Sequence, residues 1–304
     1  MSGSTLFIRT DATPQIGAGH AMRMATLAVA WRQAALGRVR WSGTVSIPFV
    51  RQYLESAGLV NEGPAALTGD GDVLVVDSYD PEVREAGARA LGAGVHVLVD
   101  DGQGRVPPGY DLIWWPAPFG HRQHYSRHDC DVLTGPEAVP IRSGLPLWSS
   151  DGNEQIAVSL GGGDVPAELA HALHLLGERL GARRLLASGS WVPDRWERIA
   201  AEELWAVISR CGRLIVAGGV SALEAAAVGI PVVVVAFADN QQGALQWARA
   251  NSVPTIDVAR HRDVPELVRA LELALPEARP LPPLADGSGR VARHLAELAG
   301  RITA

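Results

Sequence analysis

Short apolar runs alternate with longer segments in which apolar residues recur every three or four positions. The short runs are rich in β-branched residues, which is typical of strands in a parallel sheet that is buried on both faces. In the first half of the chain the predicted strands are 5–10, 38–46, 72–77, 95–100 and 111–115. In the second half they are 155–163, 183–190, 213–219 and 230–237.

Helical patterns lie between these runs, among them 20–36, 81–91 and, near the end of the chain, 290–301. Turn-forming and polar residues interrupt the alternation at 143–155, which we interpret as a linker. The pattern predicts two doubly wound α/β domains, 1–146 and 147–304, and the final helix is a candidate to pack back on the first domain. In such sheets ligands bind beyond the carboxyl ends of the strands, so we expect the ligand in a cleft between two facing domains.

Composition narrows the class of protein. Of the 304 residues 47% are hydrophobic and 20% are charged, which predicts a globular protein with a substantial core. The net charge of −6 argues against a nucleic acid or an anionic membrane surface as the main partner. The longest apolar run, 230–238, is too short to span a bilayer, and no signal peptide is visible. We expect a cytoplasmic monomer or homodimer, without a disulfide framework because the chain has two cysteines.

A glycine-rich turn follows the first predicted strand, with Gly17 and Gly19 directly before His20. A dinucleotide-binding turn would have a third glycine where Met22 stands, and the acidic residue expected after the next strand is also missing. The chain also lacks the Gly-Lys-Ser/Thr of a P-loop, so no cofactor is predicted. His20 is a candidate general base, and the alternative is a histidine that only begins a helix.

Three predicted strands of the second half end in glycine or polar residues, at positions where free backbone N–H groups can bind phosphate. The candidates are Gly162 and Gly163, Gly218 and Gly219, and Asn240 and Gln241. Together they predict a nucleotide site. Asn240 and Gln241, after the last of these strands, are candidates to contact the sugar, and the simpler alternative is that they only start a helix.

Ser221 and Glu224 follow the second of these turns. Their spacing matches a capping box, in which Ser221 is the N-cap and Glu224 bonds back to its backbone. The functional alternative leaves the helix N-terminus to a diphosphate and Glu224 to the ribose hydroxyls of a nucleotide.

Two clusters suggest a metal ion, and we predict none at either. His121, His124 and His128 recur near Cys130, a set that could bind zinc, but the segment has no strong helix signal and resembles a solvated loop. The adjacent carboxylates at positions 100 and 101 could bind magnesium, although carboxylates at strand ends more often cap the following turn.

Several of these stretches are similar to motifs of one family. The chain resembles the UDP-sugar hydrolase of the pseudaminic acid pathway and its relatives, which share the GT-B fold with many glycosyltransferases. The resemblance covers nearly the whole chain, and its most specific part is the Gly-x-Gly-His-x-x-Arg turn. The motifs are "IRTDATPQIGAGHAMR" (8–23), "VVDSYD" (75–80), "VDDG" (99–102), "LTGPEAVPIR" (133–142), "VSLGGGD" (158–164), "AGGVSALE" (217–224), "ADNQ" (238–241) and "DGSGRV" (286–291).

The resemblance implies roles for particular residues. His20 would be the general base, and Asp11 would orient the turn or His20. The second domain would hold UDP, with the diphosphate at the helix that starts near Ser221 and the ribose on Glu224. Tyr79 and Asn240 would line the sugar site.

The predicted reaction is displacement of UDP from the anomeric carbon of a UDP-sugar, with water as the acceptor. The alternative is a glycosyltransferase that moves the sugar to a small-molecule acceptor such as a sugar, an aglycone or a nucleobase. The family tends to carry an Asp and an Asn where this chain has Pro116 and Ala117, which leaves the acceptor open. A third possibility is a catalytically silent protein that binds nucleotide sugars.

Overall fold

The computed structural model describes residues 4–62, 73–90, 94–102, 104–149, 154–180, 185–189, 191–192 and 196–302. Asp72, Arg183, Arg184 and Ser190, which lie in predicted strands, and residues 150–153 of the predicted linker are outside this part. The chain divides into two compact units, one formed by Met1–Ser143 with Ala285–Ala304 and the other by Gly144–Leu284.

Within the described residues strands and α-helices alternate along much of the chain, as in an α/β protein, although some consecutive strands have no α-helix between them. The strands are β1 Ser4–Thr10, β2 Gly37–Ser42, β3 Val73–Asp77, β4 Val95–Val99, β5 Leu112–Trp115, β6 Asp131–Thr134, β7 Ile156–Ser159, β8 Leu185–Ser188, β9 Glu197–Arg198, β10 Arg213–Ala217, β11 Val232–Ala236 and β12 Thr255–Asp257. The helices are α1 Gly19–Gln33, α2 Pro48–Ser56, α3 Pro81–Ala88, α4 Ala167–Arg179, α5 Leu204–Ile208, α6 Val220–Val228, α7 Gln242–Ala250, α8 Val264–Ala274 and α9 Ser288–Ile302.

The first unit contains a parallel sheet with the strand order β2-β1-β3-β4-β5-β6. All five residues of β3 are buried, because helices cover both faces of the sheet. The chain order reverses between β1 and β3, which is the position where a doubly wound sheet binds its ligand.

Helix α9 completes the core of the first unit, although it comes from the end of the chain. Its buried residues Val291, Leu295 and Ala299 recur at intervals of four, so they form one stripe that joins the same core as α1. This second partner explains why α1 is buried around most of its circumference, with Trp31 fully enclosed.

The second unit contains a parallel sheet with the order β12-β11-β10-β7-β8-β9, which is the Rossmann order. Strand β11 is wholly buried, and α4 and α8 pack on the same core as β7, β10 and β11. The chain order reverses between β7 and β10. The prediction of two doubly wound α/β sheets is therefore confirmed.

The sequence pattern did not identify the short strands β6 and β12, which have four and three residues. It also extended β2 to position 46, whereas the strand ends at Ser42 and Gly43 follows with a φ of 153°. Across the described part of the chain, we find no helix with the length and apolar character that crossing a bilayer requires.

Candidate functional site

His20 lies at the carboxyl edge of the first sheet, beside the position where the strand order reverses. The turn before it requires glycine, since Gly17 has a φ of 86° and its N–H donates to the carbonyl of Thr13 over 2.7 Å. Helix α1 then begins at Gly19 with Ala18 as its N-cap. His20 is therefore inside the first turn of the helix, and the alternative that it serves as the N-cap is wrong.

The His20 imidazole is paired with a buried carboxylate. Its Nδ1 lies 2.5 Å from Oδ1 of Asp77, the last residue of β3. Asp77 is 1% exposed and His20 is 5% exposed. Within the described residues the other ring nitrogen, Nε2, has no hydrogen-bond partner. A carboxylate that holds one nitrogen fixes the tautomer and leaves the other nitrogen as a base.

Arg23 anchors Asp77 from the next turn of α1. Its Nε and Nη2 donate to the two oxygens of Asp77 over 2.6 and 2.7 Å, a bidentate geometry that fixes the plane of the carboxylate. Its Nη1 donates to Oδ1 of Asp101 over 2.7 Å. Tyr79 donates its hydroxyl to Oδ2 of Asp101, and its ring meets the His20 ring edge-on at 4.4 Å. These five side chains form one network, which we call the His20 network.

The charges of the network hold its carboxylates in the ionised form. Burial by itself raises the pKa of Asp77, but Arg23 and His20 outweigh it and hold that pKa well below its usual range. Burial likewise raises the pKa of Asp101, and Arg23 and His20 again lower it overall. Burial lowers the pKa of Arg23, yet Asp101 and Asp77 raise it well above its ordinary value. Because Asp77 is ionised, the proton between it and His20 belongs to Nδ1.

The charges of the network balance when His20 accepts a proton at Nε2. With a neutral imidazole, the two carboxylates and the single guanidinium sum to a charge of −1. A proton accepted at Nε2 brings that sum to zero. A buried site is most stable when its charges are paired, so this arrangement compensates the imidazolium that a general base becomes.

Asp11 lies elsewhere in the first unit. Its Oδ1 accepts from the backbone N–H of Thr44 over 2.6 Å and from Arg9 over 2.7 Å. The prediction that Asp11 orients His20 is therefore wrong, since the carboxylate on His20 is Asp77. Asp11 instead ties the start of the turn to the segment that follows β2.

Asp100 belongs to a second buried cluster. It accepts from Arg84 over 2.8 Å, from the Tyr125 hydroxyl over 2.5 Å and from the backbone N–H of Gly104 over 3.1 Å, so it does cap the following turn. Burial and the Asp100 carboxylate raise the pKa of Tyr125 well above its ordinary value. No set of three His, Cys, Asp or Glu side chains placed to hold a metal was found in the described part of the chain. His124 packs instead against Trp115 and Tyr125.

The second unit brings its predicted residues to one edge of its sheet. Gly162 and Gly163 follow β7, Gly218 and Gly219 follow β10, and Asn240 and Gln241 follow β11. These three strands are neighbours, so their carboxyl ends meet at the same edge. A Cβ on Gly218 would lie 2.9 Å from the carbonyl oxygen of Gln241, which means that the two turns touch and that Gly218 has no room for a side chain.

The capping box predicted at α6 is absent. The helix begins at Val220, and its N-cap is Gly219 rather than Ser221. Oε2 of Glu224 accepts a hydrogen bond from Nε1 of Trp205 over 2.8 Å, and both residues are buried. The N-terminal turn of α6 therefore begins at a glycine without a side-chain cap, a geometry that suits an anion.

Sequence reasoning missed four of the residues that shape these sites: Arg23, Asp77, Asp101 and Trp205. A signal existed for two of them. Arg23 follows His20 by three positions, which places both on one helix face, and Asp77 ends a strongly apolar strand. No sequence signal links Asp101 or Trp205 to its partner, because each pairing joins residues that are distant along the chain.

Comparison with known proteins identifies the fold. No protein-family model and no curated protein sequence matches the chain. Among solved structures it is similar to the spinosyn rhamnosyltransferase SpnG complexed with spinosyn aglycone, at 17% identity and a TM-score of 0.60, over 98% of this chain and 96% of that one. It is similar to S. aureus MnaA in its co-structure with UDP, at 13% identity and a TM-score of 0.67, over 99% and 98% of the two chains.

A third similar structure is the glycosyltransferase SnogD from Streptomyces nogalater, at 19% identity and a TM-score of 0.58, over 99% of this chain and all of that one. These likenesses extend over nearly the whole length of both partners, and they include both doubly wound sheets. The chain therefore has the GT-B fold.

Proposed function

We propose that this protein is an enzyme that displaces UDP from the anomeric carbon of a UDP-sugar, with His20 as the general base. The observation that carries the proposal is the Asp77–His20 pair, which has Nδ1 held by a buried carboxylate and Nε2 without a partner in the described residues. This pair lies where a doubly wound sheet binds ligands.

The reaction moves one proton and exchanges one bond. An acceptor oxygen gives its proton to Nε2 of His20 and bonds to the anomeric carbon, while the bond from that carbon to the diphosphate oxygen breaks and UDP leaves. A positioned general base contributes about 10²- to 10⁴-fold in rate, or roughly 3–5 kcal/mol. The rest of the acceleration comes from alignment of the acceptor and from stabilisation of the departing diphosphate.

Arg23 and Asp101 act as positioning residues in this proposal. Arg23 holds both oxygens of Asp77 and so fixes the imidazole plane. Asp101 supplies the extra negative charge that balances the imidazolium.

The second unit would hold the nucleotide. The start of α6 suits a diphosphate, because the N–H groups of a first helical turn have no partner within the helix and the helix dipole is positive there. The glycine pairs Gly162–Gly163 and Gly218–Gly219 are proposed to let the diphosphate approach the backbone, although the N–H groups of Gly218 and Gly219 themselves donate to the carbonyls of Val235 and Ala217. Glu224 is proposed to bind the ribose, held in place by Trp205. Tyr79 and Asn240 remain the proposed sugar contacts.

Water is the proposed acceptor, and transfer to a small-molecule hydroxyl is the second candidate. What favours transfer is the residue pair Pro116 and Ala117, which are buried at the end of β5 and have no polar side chain to hold a water. The similarity in fold to SpnG and SnogD, both glycosyltransferases, is consistent with that candidate.

The deciding experiment measures UDP release from a panel of UDP-sugars, with and without candidate acceptors. Release in the absence of any acceptor supports hydrolysis. Release that depends strictly on an acceptor supports transfer. Tight binding of UDP-sugars without UDP release under any of these conditions would contradict both and favour a catalytically silent binding protein.

A further inference from the structure

A cavity of about 460 Å³ lies between α3 and the segment 104–108 in the first unit. We call it the α3 cavity. Pockets of roughly 300–1,000 Å³ bind small molecules, so its size is sufficient for one. The His20 network has only Tyr79 in common with the residues that line it.

An incompletely bonded guanidinium lies in the cavity wall. Arg84 is 4% exposed, and it donates to Asp100 over 2.8 Å and to the carbonyls of Ser78 and Arg105 over 2.6 and 3.0 Å. Within the described residues its Nη2 is buried and has no hydrogen-bond partner. A buried donor without a partner costs about 1–3 kcal/mol, which a ligand oxygen would recover.

Part of the wall is apolar and largely preformed. Pro81, Val106, Pro107 and Pro108 line it, and the proline rings restrict the backbone of the 104–108 segment. A Cβ on Gly109 would lie 2.7 Å from the carbonyl oxygen of α3 residue Ala88, and the φ of Gly109 is 109°, so the segment packs closely against the helix. A rigid apolar wall favours a ligand with a flat apolar body.

Positive charge exceeds negative charge around the cavity. Three arginines, Arg84, Arg89 and Arg105, face a single glutamate, Glu85, which is paired with Arg89 over 2.5 Å. Asp100, which does not line the cavity, forms an ion pair with Arg84 and compensates its charge. Arg105 is exposed, and its guanidinium makes no hydrogen bond or ion pair within the described residues, which leaves one uncompensated cation at the cavity.

We propose that the α3 cavity binds a small molecule that carries a carboxylate or phosphate on an apolar body. The anion would bond to Arg105 and to Nη2 of Arg84, and the apolar body would lie on the prolines. Tyr79 connects this site to His20, because it lines the cavity and also contacts the imidazole edge-on. The same ligand chemistry suits an acceptor that the enzyme consumes or an effector that it does not.

The test uses 1-naphthoate as the probe and its neutral analogue 1-naphthamide as the control, titrated into the full-length protein by calorimetry. Naphthoate is expected to bind at least tenfold more tightly than naphthamide. Arg105→Gln is expected to lower the affinity for naphthoate about fivefold or more. Arg84→Gln is expected to lower it to the affinity that the protein has for naphthamide. Arg179→Gln, which changes an exposed arginine of the second unit, should leave both affinities unchanged.

Equal binding of the two probes would overturn the proposal, as would naphthoate binding that both cavity variants leave intact. Arg84 also has structural contacts, so if Arg84→Gln fails to fold, Arg105→Gln alone decides the outcome. Mass spectrometry of a reaction that contains UDP-sugar and 4-hydroxy-1-naphthoate then distinguishes the two sources. The hydroxyl of an acceptor gives its proton to His20 and the compound is recovered as its glycoside, whereas an effector is recovered unchanged. The binding arm does not require the enzyme to turn over, so its failure is distinct from failure of the proposed reaction.

Discussion

The two sheets of this protein present very different carboxyl edges. The first edge carries a network of ionisable side chains, in which His20, Asp77, Arg23 and Asp101 contact one another over 2.5–2.7 Å. The second edge carries glycines, and at Gly218 an added Cβ would lie 2.9 Å from the carbonyl oxygen of Gln241. Both edges belong to doubly wound sheets. Side chains occupy the ligand-binding position at the first edge, and main-chain atoms occupy it at the second.

The difference follows from what each edge has to do in the proposed reaction. Proton transfer requires a titratable side chain in a fixed tautomer, and only a partner such as a buried carboxylate can fix it. Binding of a diphosphate requires several donors that all point at the same few oxygens, which backbone N–H groups at turns and at a helix N-terminus provide when no side chain intervenes. The predictions below test this division.

The largest effect is expected from loss of the base. His20→Ala should lower kcat for UDP release by about 10²- to 10⁴-fold, because it removes the general base, and it should leave the Kd for UDP nearly unchanged. Steady-state kinetics and calorimetric titration of UDP measure the two quantities. His171→Ala, which changes an exposed histidine on α4, is the control. A His20→Ala enzyme with normal turnover would disprove the assigned role.

The next effect concerns the carboxylate partner. Asp77→Asn should lower kcat by about 100-fold or more, and it should reduce the free energy of unfolding by about 3–5 kcal/mol because Arg23 loses its buried partner. Denaturant unfolding measures the second quantity. Asp11→Asn is the matched comparison, since Asp11 contacts only Arg9 and the Thr44 backbone, and it should change kcat little. Equal losses of kcat in both variants would show that the effect is not specific to the carboxylate of Asp77.

Acid should lower the free energy of unfolding by protonating the carboxylates of Asp77 and Asp101. Arg23 and His20 lower the pKa of Asp77 and Asp101 below the unfolded value despite burial, so their stabilisation is complete above about pH 4 and falls as the pH drops toward the folded pKa. The expected loss is up to about 1.5 kcal/mol by pH 3.5 for the two groups together. Denaturant unfolding at pH 7 and pH 3.5 measures it.

The matched variant for the acid effect is Asp101→Asn, which should make the free energy of unfolding less dependent on pH over this range. A variant whose stability declines with acid as steeply as the wild type would contradict the assignment of the effect to these carboxylates.

The smallest effect is expected at the second edge. Gly219→Ala should lower the affinity for UDP about fivefold, which corresponds to about 1 kcal/mol. The reason is that a Cβ at the start of α6 would hold the diphosphate away from the backbone donors. Its stability should change little, since no atom lies within 4 Å of the added Cβ and the φ of Gly219 is −132°. Calorimetric titration of UDP and thermal unfolding separate the two effects.

Gly218→Ala provides the contrast, because its Cβ would meet the Gln241 carbonyl oxygen at 2.9 Å. That variant should lose about 1–3 kcal/mol of stability through overpacking. If Gly219→Ala bound UDP as the wild type does, the backbone of this turn would not be the diphosphate site.

Much of the fold could be predicted from the pattern of apolar positions. The apolar runs that became β1, β3, β4, β10 and β11 are buried on both faces, so their character is visible locally. The short strands β6 and β12 are edge strands of four and three residues, and their pairing depends on the neighbour that the fold supplies rather than on their own pattern.

The candidate site was predictable only in part. His20 stood out because the glycine turn places it at the start of a helix after a buried strand. Asp11, which is near His20 in sequence, was predicted to orient either the turn or His20, whereas the carboxylate that holds His20 is that of Asp77, 57 positions away. The spacing of Ser221 and Glu224 left two alternatives open, a local capping box and a nucleotide site, and no local pattern indicated that Trp205 donates a hydrogen bond to Glu224.

The sequence by itself determined the alternation of strands and helices, the glycine turns at the strand ends and the identity of the candidate base, because each depends on residues within a few positions of one another. Only the tertiary structure decided which carboxylate holds that base, that Arg23 links Asp77 to Asp101, and that α9 closes the core of the first unit. These contacts join segments separated by tens to hundreds of residues. The order of strands in the sheet decides which of these segments meet, and no local pattern encodes that order.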